Sequence, residues 1–306
     1  MHKIKSRLKW ILLLLFAILL FGEISLRFIW GFCDAPLYIA SNNFEYIAAP
    51  KQTGKRFGNK YHFNAYSQRN NKPDPSKTKI LGLGDSVLFG GVQSDQDSIA
   101  TSIFNQTLTN FQMLNISSGS WGPDNCAAYL KEYGTFNAKA MFLLVSSHDA
   151  YDVMDFKPVV GNHSSYPEHQ YNLAWWELLN RYIKPRVSNI FSKQDKKLDP
   201  DEIAAQGIQK KGLKFNPGFQ ELKILSDSLH IPLTVYLHAE KAELHNQEYN
   251  SQGKEIIKWT TENNVNLIKE LDYDFKDLDY RDIIHLNNKG QKKLAEIIIE
   301  NFKKDI

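Results

Sequence analysis

From Thr78 onward the chain alternates between two hydrophobic periods. The runs "TKILGLG", "FQMLNIS", "KAMFLLVSS" and "PLTVYLHA" are short and almost wholly apolar, and "VNLIKEL" is a weaker fifth. Runs of that length and character read as strands buried on both faces. Between them the period lengthens. "SIATSIFNQTL" places Ile99, Ile103, Phe104 and Leu108 at helical spacing. "PDNCAAYLKEYG" opens on Pro123 and Asp124 and closes on Gly134, punctuation that suits a helix. "GFQELKILSDSLHI" and "KEIIKWTTENN" read as two more helices. The terminal "NKGQKKLAEIIIENF" sets Leu294, Ile297, Ile298 and Phe302 on one face. Strands alternating with helices predict a three-layer α/β fold over residues 78–306, with a central parallel sheet of flavodoxin-like kind. Chemistry in such folds belongs at the carboxyl ends of the strands.

Three stretches break the alternation. Residues 153–215 contain "YNLAWWELLNRYIKPRV", which predicts an amphipathic helix, and then the charged run "SKQDKKLDPDE"; this reads as a helical insertion over one end of the sheet. Trp175 and Trp176 are expected to pack from that helix. Residues 34–77 are polar with scattered aromatics and read as a lead-in with one short strand around "KYHFNAYS". Residues 1–33 begin with Lys3, Lys5, Arg7 and Lys9, followed by the apolar "WILLLLFAILLFG". A basic flank before an apolar run keeps the N-terminus in the cytoplasm and sends the rest across the membrane. No small-x-small site follows closely, so an uncleaved transmembrane anchor is expected, although Glu23 and Arg27 interrupt its far end.

Composition narrows the classes of partner. With 37 basic and 34 acidic side chains the net charge is +3, so nucleic acid is not an expected partner. Cys33 and Cys126 are too few for a disulfide framework and are expected to be free. His238, Glu240 and His245 in "YLHAEKAELH" match no firm metal-ligand spacing and read as a loop at the pocket rim. No metal and no cofactor is expected.

Two strand ends carry chemistry. The first strand runs into "GDSVLFGG", where Ser86 stands at a tight strand-to-helix turn that presents its hydroxyl at the mouth of the sheet. Near the other end, "DLDYRDIIHLNNKGQ" places Asp282 three residues before His285, ahead of the terminal helix. On one turn that spacing lets a carboxylate fix the imidazole tautomer and leaves Nε2 free to take a proton from a hydroxyl. Together they make a nucleophile, a base and its orienter. A second His-Asp pair, His148-Asp149, ends the third strand in "LLVSSHDAYD" and competes for the same role.

The order of these blocks resembles that of the SGNH (GDSL-type) hydrolase family, on "GDSV" at 84–87 and on Asp282 and His285, over roughly residues 78–303. The resemblance implies that Ser86 is the nucleophile, His285 the general base and Asp282 its orienter. It also implies an oxyanion hole built from the Ser86 backbone, from Gly119 or Ser120 in "NISSGSWGPDN", and from the third-block position. There the family's Gly-x-Asn-Asp is replaced by Ser146-Ser147-His148-Asp149. His148 therefore stands where an Asn donor is expected, and we read it as a replacement donor. Losing such a donor typically costs roughly 10²- to 10³-fold in rate. Asp85, Trp121 and Asp149 are expected to line the substrate site.

The anchor and lead-in resemble those of membrane-attached bacterial members. The resemblance thus implies a single-pass protein of the bacterial inner membrane whose catalytic domain lies on the periplasmic side. The expected activity is removal of an O-acyl group, chiefly O-acetyl, from an extracytoplasmic glycan or a small ester. Transfer of the acyl group to a sugar hydroxyl would use the same residues. The altered third block also admits a non-catalytic glycan-binding or assembly protein.

Overall fold

The computed structural model describes residues 2–184, 186–187, 208, 210 and 212–304. The charged run expected at 192–202 lies outside the described residues. The predicted strands form one five-stranded parallel sheet: β5 (Thr78–Gly84), β6 (Phe111–Ser117), β7 (Met141–Ser146), β8 (Leu233–His238) and β9 (Asn266–Lys269). Their spatial order is β6-β5-β7-β8-β9. Numbered within the sheet this is 2-1-3-4-5, the flavodoxin-like order, whose switch point lies between the first and third strands. The carboxyl ends of β5 and β7 therefore flank the crevice where a ligand is expected.

The apolar runs have no visible alternation because both faces are covered. Leu81, Leu83, Leu143, Val145, Val235 and Leu237 enter one core with α4 (Pro123–Tyr133), α6 (Gly218–Leu229) and α8 (Ser251–Glu262). Ile80, Met113, Phe142, Leu144 and Tyr236 enter the other, against α3 (Ala100–Thr107) and the terminal α9 (Asn288–Lys304). Neighbouring residues of one strand thus serve opposite layers, as the pleat requires.

The lead-in differs from the expectation of one strand. It forms two antiparallel hairpins, β1 (Tyr38–Ser41) with β2 (Glu45–Ala48), and β3 (Gln52–Arg56) with β4 (Asn59–Phe63). Tyr38, Phe44, Tyr46, Ile47, Tyr61 and Phe63 join the core under α4. Residues 68–70 then run beside β6, with Arg69 N–H donating to Asn115 O at 3.2 Å and Asn70 Nδ2 to Met113 O at 3.1 Å. This covers an otherwise bare sheet edge. The buried Arg69 side chain donates to three carbonyls of the loop after the first strand: Phe89 (2.6 Å), Gly91 (2.5 Å) and Ser94 (2.8 Å).

The helix α1 (His2–Phe28) contains an apolar segment, Ser6–Phe28, long enough to cross a membrane, and none of it is buried in the protein. The expected amphipathic helix begins as α5 (Ala174–Glu177) and continues as a π-helical segment, Leu178–Ile183.

Arg69→Met tests the structural weight of the lead-in. It leaves buried carbonyls without a donor, at about 1–3 kcal/mol each. Urea unfolding of the full chain in detergent micelles is expected to show a loss of about 3 kcal/mol, and a loss below about 1 kcal/mol would contradict this role.

Candidate active site

β5 ends at Gly84 because the turn leaves no room for a side chain: a Cβ there would stand 2.9 Å from Leu144 O of the neighbouring strand. Asp85 then caps the short helix α2 (Ser86–Phe89), its Oδ1 accepting from Val87 N–H at 2.8 Å. Its second oxygen accepts from Ser146 Oγ at 3.1 Å, across the switch point. Ser86 is thereby held at the first helical position, over the crevice.

His285 arrives from the far end of the chain. Asp282 Oδ1 accepts the backbone N–H groups of Ile284 (3.0 Å) and His285 (2.7 Å), which curls the segment into one turn. The same carboxylate meets His285 Nδ1 at 2.8 Å through Oδ2, and His285 Nε2 lies 2.9 Å from Ser86 Oγ. Burial opposes the charge on Asp282, but these bonds outweigh it and hold the carboxyl far below its usual range. Nδ1 therefore carries a proton toward a fixed carboxylate, and Nε2 faces the serine as an acceptor.

The turn that carries His285 has its own support in His238, which is the last residue of β8 and not part of a rim loop as expected. His238, at the end of β8, is fully buried, with Nδ1 2.8 Å from Glu270 Oε2 and Nε2 2.7 Å from Ile284 O. A carbonyl and a carboxylate both accept, so both ring nitrogens donate and the ring is an imidazolium. Burial works against that charge, but Glu270 and the Ile284 carbonyl outweigh it and raise the pKa to about 9. Tyr280 OH adds a bond to Ala239 O at 2.7 Å. Arg281 links the turn to the nucleophile side through Gly90 O at 3.2 Å.

The third-block residues are placed as follows. Ser147 Oγ donates to Glu243 at 2.6 Å, and Asp149 Oδ2 accepts from Ser146 N–H at 2.8 Å. His148 Nδ1 is 3.0 Å from Glu240 Oε1. Its Nε2 stands 3.9 Å from Asp149 Oδ1 and 4.0 Å from Asp152 Oδ2, too far for a hydrogen bond to either. Burial disfavours the imidazolium, yet Asp149, Glu240 and Asp152 together lift His148 to about 10. Burial pushes the Asp149 and Asp152 carboxyls up, Asp152 to about 6. Glu240 is the partner of His148, and the strand-end rule applied to β8 would have found it.

Asp85, His148 and Asp149 each bring one ligand-type atom within 4.8 Å of the others. Such a group can hold a cation only if His148 gives up the proton that its acidic neighbours stabilise. Gly119 and Ser120 lie on the loop after β6, where both carbonyls accept from Tyr46 OH, at 3.0 Å and 3.2 Å. Among the described residues no acceptor takes the backbone N–H of Ser86, Gly119 or Ser120.

The expected lining residues require correction. Trp121 is 1% exposed; its indole N–H donates to Tyr46 O at 2.8 Å and its ring meets Phe44 edge-on. It closes the core beneath the β1–β2 hairpin and has no face toward the crevice. Asp85 and Asp149 are also buried: both Asp85 oxygens accept from the polypeptide, through Val87 N–H and Ser146 Oγ, and Asp149 Oδ2 accepts from Ser146 N–H.

The two histidines give the fold an alkaline limit. A histidine whose pKa is raised above its unfolded value, near 6.5, stabilises the fold fully below that value. The contribution is lost as pH rises through the folded values of about 9 for His238 and about 10 for His148. Stability of the full chain is therefore expected to fall between pH 7 and pH 10, with a shallower fall in His238→Gln and His148→Gln. Parallel stability curves for parent and variants over that range would contradict the assignment.

No family model matches the sequence, and no curated protein matches it. Among solved structures it is similar to a lipolytic protein of the G-D-S-L family from Desulfitobacterium hafniense DCB-2, at 13% identity and TM-score 0.41, covering 73% of this chain and 99% of that one. It is similar to the psychrotrophic esterase EstA from Pseudoalteromonas sp., at 13% identity and TM-score 0.41, covering 74% and 98%. It is also similar to a two-domain esterase active on acetylated mannans, at 10% identity and TM-score 0.41, covering 74% of this chain and 49% of that one.

Proposed function

We propose that the protein is a serine ester hydrolase of SGNH type, held at the bacterial inner membrane by α1, that removes O-acyl groups, chiefly O-acetyl, from a glycan on the periplasmic side. The observation that carries this reading is the unbroken relay from Ser86 Oγ through His285 to Asp282, with contacts of 2.9 Å and 2.8 Å. Ser86 Oγ attacks the ester carbonyl while His285 Nε2 accepts its proton. Asp282, held ionised, stabilises the imidazolium that results. The developing oxyanion is met by the N–H groups of Ser86 and of Gly119 or Ser120, which no described residue accepts. His148 supplies the third donor through Nε2, since Nδ1 is committed to Glu240. Collapse of the tetrahedral intermediate breaks the ester bond, and His285 returns the proton to the departing sugar hydroxyl. Water then attacks the acyl-Ser86, again with His285 as base, and releases the carboxylic acid.

The His-for-Asn replacement at 148 fits this chemistry in a particular way. An Asn amide donates whatever the pH, but an imidazole presents Nε2–H alongside a donated Nδ1–H only when protonated. The Glu240 carboxylate at Nδ1 favours that protonated form. A glycan target is favoured by the anchor and lead-in, which resemble those of membrane-attached bacterial members.

Hydrolysis of p-nitrophenyl acetate by the full chain in detergent micelles tests the reading. Ser86→Ala is expected to abolish turnover; no turnover by the parent, or turnover unchanged in Ser86→Ala, would count decisively against it. His148→Ala is expected to lower kcat by about 10²-fold with little change in KM, and His148→Asn to recover much of the loss. A His148→Ala rate within about twofold of the parent would remove His148 from the mechanism.

A further inference from the structure

The helical residues 174–184 and 186–187 carry an apolar face that no described residue covers. Trp176, Leu179, Ile183 and Val187 recur at steps of three and four and are each between 41% and 57% exposed. That spacing puts them on one side of a helix. The opposite side is committed to the domain. Ala174 and Glu177 are buried, and the Glu177 carboxylate takes Arg56 Nη2 at 2.5 Å and the Cys33 backbone N–H at 2.6 Å. Tyr182 OH meets the same guanidinium at 2.7 Å. The helix cannot roll to hide its apolar stripe without breaking a buried ion pair.

What the stripe faces is set by the contact with α1. Glu23 caps the second helix, accepting from Ala174 N–H at 2.8 Å and Trp175 N–H at 3.1 Å. Arg27 neutralises it at 2.7 Å and donates in turn to Asn172 O. The charged pair that interrupts the apolar run is thus the joint between the two helices. Trp175 Nε1 donates to Leu19 O at 2.9 Å, and its ring lies so close to Gly22 that no side chain would fit there. Leu19 and Gly22 belong to the apolar segment Ser6–Phe28, and Gly22 is six residues from its outer end. At about 1.5 Å per residue the junction lies roughly 9 Å inside that end. If α1 spans, the second helix starts at the depth where interfacial helices bury their apolar face, about 5–10 Å into the headgroup boundary.

We propose that this helix is a second membrane contact, lying in the outer interface of the same lipid bilayer with Trp176, Leu179 and Ile183 toward the acyl chains. The exposed Lys184 and Arg186 near its end suit lipid phosphates. Two contacts joined rigidly through Glu23, Arg27 and Glu177 fix the tilt of the catalytic domain relative to the membrane. A single flexible anchor would leave that tilt free. The proposal rests on α1 spanning the bilayer.

The test uses the full chain with Cys33→Ser, reconstituted in vesicles of phosphatidylcholine and phosphatidylglycerol. Nitroxide labels are placed one at a time at Trp176→Cys, Leu179→Cys, Ile183→Cys, Leu14→Cys in the anchor and Lys254→Cys on the sheet domain. Collision with oxygen marks lipid, and collision with a water-soluble nickel chelate marks solvent. Labels at 176, 179 and 183 are expected to shift toward oxygen, as at 14, while 254 stays with nickel. If 14 reads as lipid and the other three match 254, the second contact is refuted and the anchor stands. If 14 reads as solvent, the anchor reading fails and the second contact fails with it.

Discussion

A single hydrogen bond, His285 Nε2 to Ser86 Oγ at 2.9 Å, joins residues 199 positions apart, and most of the architecture serves it. Only a parallel sheet brings the end of its first strand and the loop after its last to one rim. The strand order 2-1-3-4-5 opens a crevice beside the first strand. Gly84 lets that strand turn against Leu144, Asp85 caps the helix that carries the serine, and Arg69 clamps the loop beyond it. On the other side Asp282 curls the turn and His238 holds Ile284 O in place. These contacts hold both halves in place, as a base must be held to stay within reach of the nucleophile it is proposed to serve.

A second theme is charge held where burial opposes it. The Glu270–His238, Lys210–Glu45 and Arg56–Glu177 pairs are all buried, and the His148–Glu240 contact is half-buried. Such pairs are weak contributors to stability but costly to break from one side. Here they stand at joints. Lys210–Glu45 links the insertion to the first hairpin, Arg56–Glu177 links the second hairpin to the outer helix, and His238–Glu270 links β8 to the catalytic turn. Charge specifies how the added elements seat on the α/β core.

The sheet, its helices and the Ser86, Asp282 and His285 constellation were legible because their signals are local: period, punctuation, and a spacing of three. The lead-in hairpins were not, because short strands in polar sequence leave no run to count, and Tyr46 or Phe63 becomes core only by tertiary contact. Trp121 was misread for the opposite reason. Its neighbours in sequence belong to the site, but its own side chain points into the aromatic core. Glu240 was legible as a residue just past the end of β8, but its pairing with His148, 92 residues away, was not, because no spacing rule joins the two. Glu23 and Arg27 looked like flaws in a membrane segment, and their meaning appears only with the backbone of Ala174 and Trp175 beside them.

His285 is proposed to activate Ser86 and no other hydroxyl. Reaction of the full chain with a p-nitrophenyl alkylphosphonate, followed by peptide mass spectrometry, tests it directly, because the reagent traps a nucleophile in the geometry of the tetrahedral intermediate. The account predicts one adduct per chain, on Ser86, and its loss in His285→Ala. An unmodified Ser86, or an adduct that forms equally well without His285, would contradict it.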